Sequence, residues 1–400
     1  MVLPLVRITP SGSGRRTLLR ALTGGGALAA LTLPGAPQAA ASGRGGALDP
    51  FAADSFRSSG KTREYWVQAD SFAHNAAPSG SDGMTGMRFT DAQTTFQAVG
   101  FRAYTRDWGR PLDADAGPGG IGPNSGIPGP VIRGEVGDVI KVHFKNNDTF
   151  YKWPHSMHPH GVRYDPDNDG GWMADDPKRP GTAVPFGATY TYVWRCTSGS
   201  VGSWPYHDHA APQSVAHTTA TDTGTGTGSG SATGSGTESG TGMRMEAAGH
   251  GGGGAGPVME IGAELGLFGM IAVTDERTPK VDREFVLFFH DVSAADAPSL
   301  AQDMSLCNGG AFVDNAPTFT ARAGERVRWR VSTLGNSFHT FHIHGHRWRT
   351  ADGWVDTQLV GPATTLTVEY REDNPGDWIY HCHLPGHMMR GMAGRYRVTR

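Results

Sequence analysis

Residues 381–392 read HCHLPGHMMRGM: Cys382 lies between His381 and His383 and is followed, at steps of five, by His387 and Met392. Alternate side chains of an extended strand leave opposite faces, so His381 and His383 point one way and Cys382 the other. One short segment can therefore serve two metal sites. A thiolate, two imidazoles and a distant thioether form the ligand set of a blue electron-transfer copper. Cys382, His387 and Met392 supply all of that set except one histidine, and the two histidines beside the cysteine are left for a second centre.

With 17 His in 400 residues, roughly 0.7 His-x-His triplets are expected by chance, and the chain has five. Four fit one scheme: HPH at 158–160, HDH at 207–209, HIH at 342–344 and HCH at 381–383. On a strand each pair aims both rings at one side, so four pairs can surround a cavity with eight imidazoles. Eight neutral nitrogen ligands suit a small copper cluster. Zinc takes four ligands, and a cysteine-rich structural zinc site needs more thiols than this chain has. His74, His143, His155, His217, His250, His290 and His346 have no slot in the scheme and read as surface or packing residues.

The elements that must position these ligands are strands. REYWVQADSF and TTFQAVGFRAY have strand composition, and GPVIRGEVGDVIKVHFKNN alternates apolar and polar residues around a Gly-Asp turn, which predicts a half-buried hairpin. A second copy of that pattern, PTFTARAGERVRWRVSTLGN, occurs at 317–336. Each copy precedes a histidine cluster, which predicts two similar β-sandwich domains, 62–277 and 278–400, joined at TPKVDRE. LGLFGMIAV reads as the strand that completes the first. Residues 217–257 form a Gly/Thr/Ser-rich tract that cannot bury enough apolar surface to order itself and read as a flexible insertion; its Met243, Met245 and His250 read as incidental.

Composition agrees: 58 Gly, 26 Pro and 18% charged residues suit a loop-rich β protein. A net charge of −3, from 35 Lys plus Arg against 38 Asp plus Glu, provides no basic face for nucleic acid. Arg15 and Arg16 precede a short apolar stretch broken by Gly24, Gly25 and Gly26, with an Ala-x-Ala site ending at Ala41. Residues 1–41 thus resemble a twin-arginine export signal, too short and interrupted for a membrane span, and predict a secreted or extracytoplasmic protein. Outside the cytoplasm thiols oxidise, so Cys196 and Cys307 are either a disulfide or two unrelated buried thiols.

MHPHG, YHDHA, FHTFHIHGH and HCHLPGHMMRGM together resemble, in order and internal spacing, the four copper-binding motifs of the multicopper oxidases, and the layout resembles the two-domain, small-laccase branch. The likeness covers about residues 62–210 and 265–400. It implies an all-β fold of two cupredoxin-like Greek-key β-sandwich domains. It implies four coppers per chain: a type 1 copper on His339, Cys382 and His387 with Met392 as weak axial ligand; a type 2 copper on His158 and His342; and a type 3 pair on His160, His207, His209, His344, His381 and His383. By the same resemblance Asp169, nine residues after His160, is the carboxylate that helps deliver protons, and Tyr164 is a cluster-proximal tyrosine. Read without it, Asp165, Asp167, Asn168 and Asp169 equally suit an acidic turn, and Tyr164 suits packing.

The resemblance implies an oxidase that couples one-electron oxidation of a small reducing substrate to four-electron reduction of dioxygen to water. Phenols and aromatic amines are the leading donors; Fe(II), Mn(II) and Cu(I) are the alternative, since HPHGVRYD is similar to the ceruloplasmin-like members. Iron-oxidising relatives carry an acidic residue just before the last blue-copper histidine, where this chain has Gly386. Copper nitrite reductases and non-catalytic copper carriers are weaker rivals, because both flanks of Cys382 are histidine. Cluster ligands divided between two domains further imply the head-to-tail homotrimer of the two-domain members, with a cluster at each subunit boundary.

Overall fold

The computed structural model describes residues 60–113, 126–210, 261–297 and 299–400. The leader at 1–41 and the insertion at 217–257, with His217 and His250, lie outside them. Among the described residues no helix is long and apolar enough to cross a membrane.

Among the described residues, seventeen of nineteen strands make two sandwiches of one plan. In the first, β1 (Thr62–Asn75), β2 (Thr95–Tyr104), β4 (Val139–Asn147) and β6 (Thr189–Arg195) form a sheet in the order β2-β1-β4-β6. It faces a sheet of β3 (Ile132–Glu135), β5 (His158–Pro159), β7 (Gly202–His207) and β8 (Phe268–Thr274), ordered β3-β8-β7-β5. In the second, β9 (Arg283–Val292), β10 (Met304–Cys307), β12 (Arg326–Leu334) and β17 (Thr365–Arg371) are ordered β10-β9-β12-β17. Opposite them run β11 (Phe319–Arg322), β13 (His339–Ile343), β16 (Thr357–Val360), β18 (Gly376–Cys382) and β19 (Ala393–Thr399), ordered β11-β19-β18-β13-β16. A small hairpin of β14 (Trp348–Thr350) and β15 (Gly353–Val355) stands apart.

Period-two burial fills the first sandwich, whereas in the second β9 and β12 are buried along nearly their whole length. In β4 Ile140, Val142 and Phe144 alternate with partly exposed neighbours and meet Ile132, Tyr206 and Ile271 of the facing sheet. In the second sandwich Phe285, Trp329 and Val331 meet Phe341, Tyr380 and Cys382. A third apolar cluster joins the sandwiches, with Phe268 and Met270 of β8 against Val286 and Phe288 of β9 and Met304 and Leu306 of β10. Fully burying such side chains stabilises by about 1.5–3 kcal/mol each. At the edge of this contact Arg133 and Arg330 converge on Glu284, at 2.7 and 2.9 Å, and Arg330 also donates to Ser203 Oγ at 2.6 Å.

One expectation is corrected, and one open alternative is decided. The predicted hairpin at 129–147 is not one: β3 and β4 belong to opposite sheets, and the turn at Gly137 (φ +94°) and Asp138 carries the chain across the sandwich. The repeat behaves alike, β11 and β12 lying in different sheets around Gly324. Alternation records a buried face but does not say which strand will pair with it. Cys196 lies in the first core and Cys307 in the second, and both are free thiols, so the disulfide left open by the sequence does not form.

Candidate metal centres

Strand register separates the ligands of the second sandwich. β13 pairs with β18 so that Phe341 opposes Cys382 and His342 opposes His381. Phe341 and Cys382 point into the core, and the two histidines point out of it. His387 sits on the short helix Pro385–Met389, which begins with a proline because the first helical N–H needs no partner. The donor atoms of His339, Cys382 and His387 all lie within 4.8 Å of one another. His387 Nδ1 is 3.1 Å from His339 Nδ1 and 3.6 Å from Cys382 Sγ. The Thr340 N–H donates to that sulfur at 3.4 Å, a contact that favours a thiolate. Met392 is fully buried beside the group, and its carbonyl accepts the Cys382 N–H at 3.1 Å. Burial pushes the Cys382 thiol up and holds His339 down at about 4, so the pocket favours uncharged donors until a cation enters it.

The remaining eight histidines form two half-sites of the same design. His158 opposes His207 across β5 and β7 as His342 opposes His381 across β13 and β18. In each, a ring Nδ1–H donates to a backbone carbonyl: His158 to Asp169 at 2.7 Å, His207 to Asp208 at 3.0 Å, His342 to Asp356 at 2.8 Å and His381 to Cys382 at 2.9 Å. Those bonds fix the tautomer and leave Nε2 bare for a metal. His160 and His207 then meet tip to tip, Nε2 to Nε2, at 3.1 Å, and His344 and His381 do the same at 3.1 Å. That is about the separation of two ligands on one ion with 2.0–2.1 Å bonds. Burial lowers His160 and His381 to about 4 and His207 to about 3, which keeps the rings neutral and able to coordinate. His209 packs against His158 and His207, and His383 against His342 and His381.

The donor set fits copper: imidazoles alone at the half-sites, and a thiolate with two imidazoles and a thioether at the third group. Among the described residues the three groups of ligand atoms are His158/His160/His207, His342/His344/His381 and His339/Cys382/His387, and each draws on a single sandwich. Tyr164 packs edge-on to His158 at 6.2 Å, and burial followed by Asp169 pushes its hydroxyl up to about 12. Asp169 Oδ1 lies 3.4 Å from His158 Nδ1, while its other oxygen accepts the Gly171 N–H.

Two groups escaped the sequence reading. His155, expected at the surface or in packing, is 1% exposed and held between two carboxylates, Asp208 at 2.8 Å and Asp148 at 3.1 Å. Burial alone would lower its pKa, but Asp208 and Asp148 outweigh that and raise it to about 9. Asp208 also accepts the Ser156 N–H at 2.8 Å, and Ser156 Oγ accepts the His209 N–H at 3.1 Å, so the pair locks together the two segments that bear the first half-site. The signal was present: HSMHPH repeats the spacing of HTFHIH, which puts His155 in the place of His339. The second group is acidic. Asp291 Oδ2 lies 3.5 Å from His339 Nε2, and beside it burial, with Asp296 and Asp291, pushes Glu264 up to about 7. His346 is likewise buried, bonded to Glu372 at 2.9 Å; His74 and His290 pack in the interior, and His143 stacks on Trp66.

Comparison with known proteins places this geometry. The chain is 28% identical over 68% of its length to a probable nitrite reductase–hydroxylamine oxidoreductase fusion protein of Kuenenia stuttgartiensis, covering 27% of that protein. It is 26% identical over 84% of its length to mouse ferroxidase HEPHL1, covering 29%, and 26% identical over 68% to human ceruloplasmin, covering 24%. It thus spans less than a third of these relatives. Among solved structures, a multicopper oxidase aligns with a TM-score of 0.55 at 19% identity, covering 84% of this chain and 89% of that one. The copper nitrite reductase of Nitrosomonas europaea aligns with 0.53 at 18%, covering 85% and 94%. Both share the fold. Two multicopper oxidase family models match residues 113–224 and 289–400, one on each sandwich, and the chain is a member of the multicopper oxidase family.

Proposed function

We propose that this chain is an exported oxidase that takes single electrons from a small donor at the His339/Cys382/His387/Met392 site and reduces dioxygen to water at a cluster completed between neighbouring copies. The observation that carries the reading is the pair of like-built half-sites, His158/His160/His207/His209 and His342/His344/His381/His383, with Cys382 between two members of the second. Copper bound to these groups supplies one-electron transfer at the thiolate and dioxygen reduction among the imidazoles. His158 and His342 would hold the type 2 ion and the other six the type 3 pair. Cys382 links the two centres through its own backbone, and Asp169, beside His158, is placed to pass protons toward the cluster.

Each half-site belongs to one sandwich, and the sheet carrying β13 and β18 turns its histidines away from its own core. A head-to-tail ring brings the second half-site of one copy to the first half-site of the next, and closure at three copies gives a homotrimer. Mixing His158→Ala chains with His344→Ala chains tests this: after dissociation and reassembly, boundaries that receive two intact halves recover oxygen uptake. No recovery despite proven exchange, or a fully active monomer, rejects the shared cluster.

A cationic donor has support in Glu264, Asp291 and Asp296, whose mutual repulsion a metal ion would relieve within reach of His339. These carboxylates could replace the acidic residue absent at Gly386. An aromatic donor has support in Leu384 and Met389, 36% and 51% exposed on either side of the nearly buried His387. Oxygen uptake with Fe(II), Mn(II), Cu(I), phenols and aromatic amines separates them. For a cationic substrate Glu264→Gln raises KM for the metal ion and leaves phenol oxidation unchanged; no effect on any metal ion leaves the aromatic reading.

A further inference from the structure

We infer that the acidic segment 165–176 of one copy docks in the arginine-lined groove beside His342 of the next, and that this charged contact sets the register of the shared cluster. The inference rests on the shared-cluster reading above and names the surfaces that must meet. If His158 of one copy and His342 of another ligate one ion, their ring nitrogens lie within about 4 Å of each other. The segments bonded to the two rings must then abut.

Those segments are identified by the hydrogen bonds that orient the rings. His158 donates to the carbonyl of Asp169, within a stretch that carries Asp165, Asp167, Asp169, Asp175 and Asp176 in twelve residues. Asp176 pairs with Arg179 and Asp165 with Asn168, whereas Asp167 and Asp175 are exposed and have no cationic partner among the described residues. His342, held by the Asp356 carbonyl, lines an open groove of about 1100 Å³ that also contains Arg347, Arg349 and Arg371. All three arginines are exposed, and none has a carboxylate within ion-pair distance among the described residues. Arg347 lies over the Trp354 ring at 5.5 Å, and Arg371 donates to the Gly324 carbonyl.

The groove contains acids too. Glu369 is already engaged by Arg326 and Arg328, which leaves Asp356 and Asp373 against three guanidinium groups. The occupant that answers this excess, and that ligand geometry brings to the spot, is the aspartate-rich segment of a second copy. Exposed charges of this kind contribute more to encounter and register than to affinity, and salt screens them. Trp354, 63% exposed on the groove rim, and Met173, 50% exposed on the acidic segment, offer apolar contact beneath the charges.

Sedimentation velocity on the copper-loaded full chain tests the contact with three variants: Arg347→Glu with Arg349→Glu, Asp167→Arg with Asp175→Arg, and all four together. Each pair alone is expected to weaken association at least tenfold and to shift the protein toward monomer, with blue absorbance retained as a folding control. All four together should restore association in large part. Raising salt from about 0.05 to about 0.5 M should weaken wild-type association and barely affect a monomeric variant. An unchanged trimer in both paired variants, or a fourfold variant no better than either pair, overturns the contact and leaves the shared cluster standing. A wild-type monomer with a complete set of coppers overturns both. If the arginine pair alters only KM for an anionic donor while the mass stays constant, the groove is a small-molecule site and the proposal fails.

Discussion

His155 Nδ1 lies 2.8 Å from Asp208 Oδ2, and these two residues stand in the first sandwich where His339 and Cys382 stand in the second. The correspondence follows from register: Asp208 is the residue after His207, which pairs with His158, as Cys382 is the residue after His381, which pairs with His342. One fold thus carries the same pair of positions twice. The second copy offers a metal a thiol, whereas the first has a carboxylate and is closed by an internal ion pair, with Asp148 as the second anion.

That ion pair is expected to act on the first half-site by position. His155→Gln leaves Asp208 with an uncompensated buried charge, a change that in other proteins costs about 3–5 kcal/mol, and it loosens the Ser156 and His209 contacts. On the proposed function the variant should keep the blue absorbance expected of the site in the other sandwich while losing copper from the shared cluster. Metal analysis and absorbance on the same sample decide it; a full copper complement in folded His155→Gln chains would remove the positioning role.

The same group makes stability depend on pH. His155 is raised from 6.5 to about 9 in the folded chain, so its contribution is complete below pH 6.5 and disappears as pH rises through 9. Two and a half pH units at 1.36 kcal/mol each give a loss on the order of 3 kcal/mol between those limits. Denaturation of the metal-free chain from pH 6 to 10 should show that decline, and His155→Gln should flatten it. Equal slopes in the two proteins would show that His155 is not the titrating group.

Much of this was legible beforehand. The four His-x-His pairs and the position of Cys382 between two histidines could be read because strand alternation is a local rule, and β13 and β18 obey it. The apparent hairpins failed because pairing is not local: β3 and β4 carry the expected alternation and still diverge into separate sheets. His155 was set aside because its partners, Asp148 and Asp208, are seven and fifty-three residues away, and nothing in their local sequence announces an ion pair. Glu264 and Asp291 meet only because the two sandwiches pack together.

Copper should survive acid better than free imidazoles would allow. Burial holds His160, His339 and His381 near 4 and His207 near 3, so protons compete for these nitrogens only at that acidity. Titrating the loaded enzyme downward against a chelator, copper release should begin at a lower pH than it would from exposed imidazoles. Release that tracks ordinary histidine titration would mean that the ligands are more hydrated than their packing indicates.

On the proposed function, substituting Asp169 should separate the two halves of the reaction. Its carboxylate lies 3.4 Å from His158 Nδ1 and beside Tyr164, on the cluster side of the chain, whereas His339, Cys382 and His387 belong to the other sandwich. A proton passed there can matter to the reduction of dioxygen and has no part in the arrival of electrons at Cys382. Asp169→Asn keeps the shape and the backbone carbonyl that orients His158, and removes the charge and the ability to exchange a proton. Anaerobic bleaching of the blue colour by a donor should then run at the wild-type rate, while the return of colour on admitting oxygen slows by roughly a hundredfold or more, within the roughly 10²–10⁴ that a positioned acid or base contributes. Rescue of reoxidation by small protonated buffers would strengthen the assignment. Equal slowing of both half-reactions would show instead that the substitution had disturbed His158, and with it the cluster as a whole.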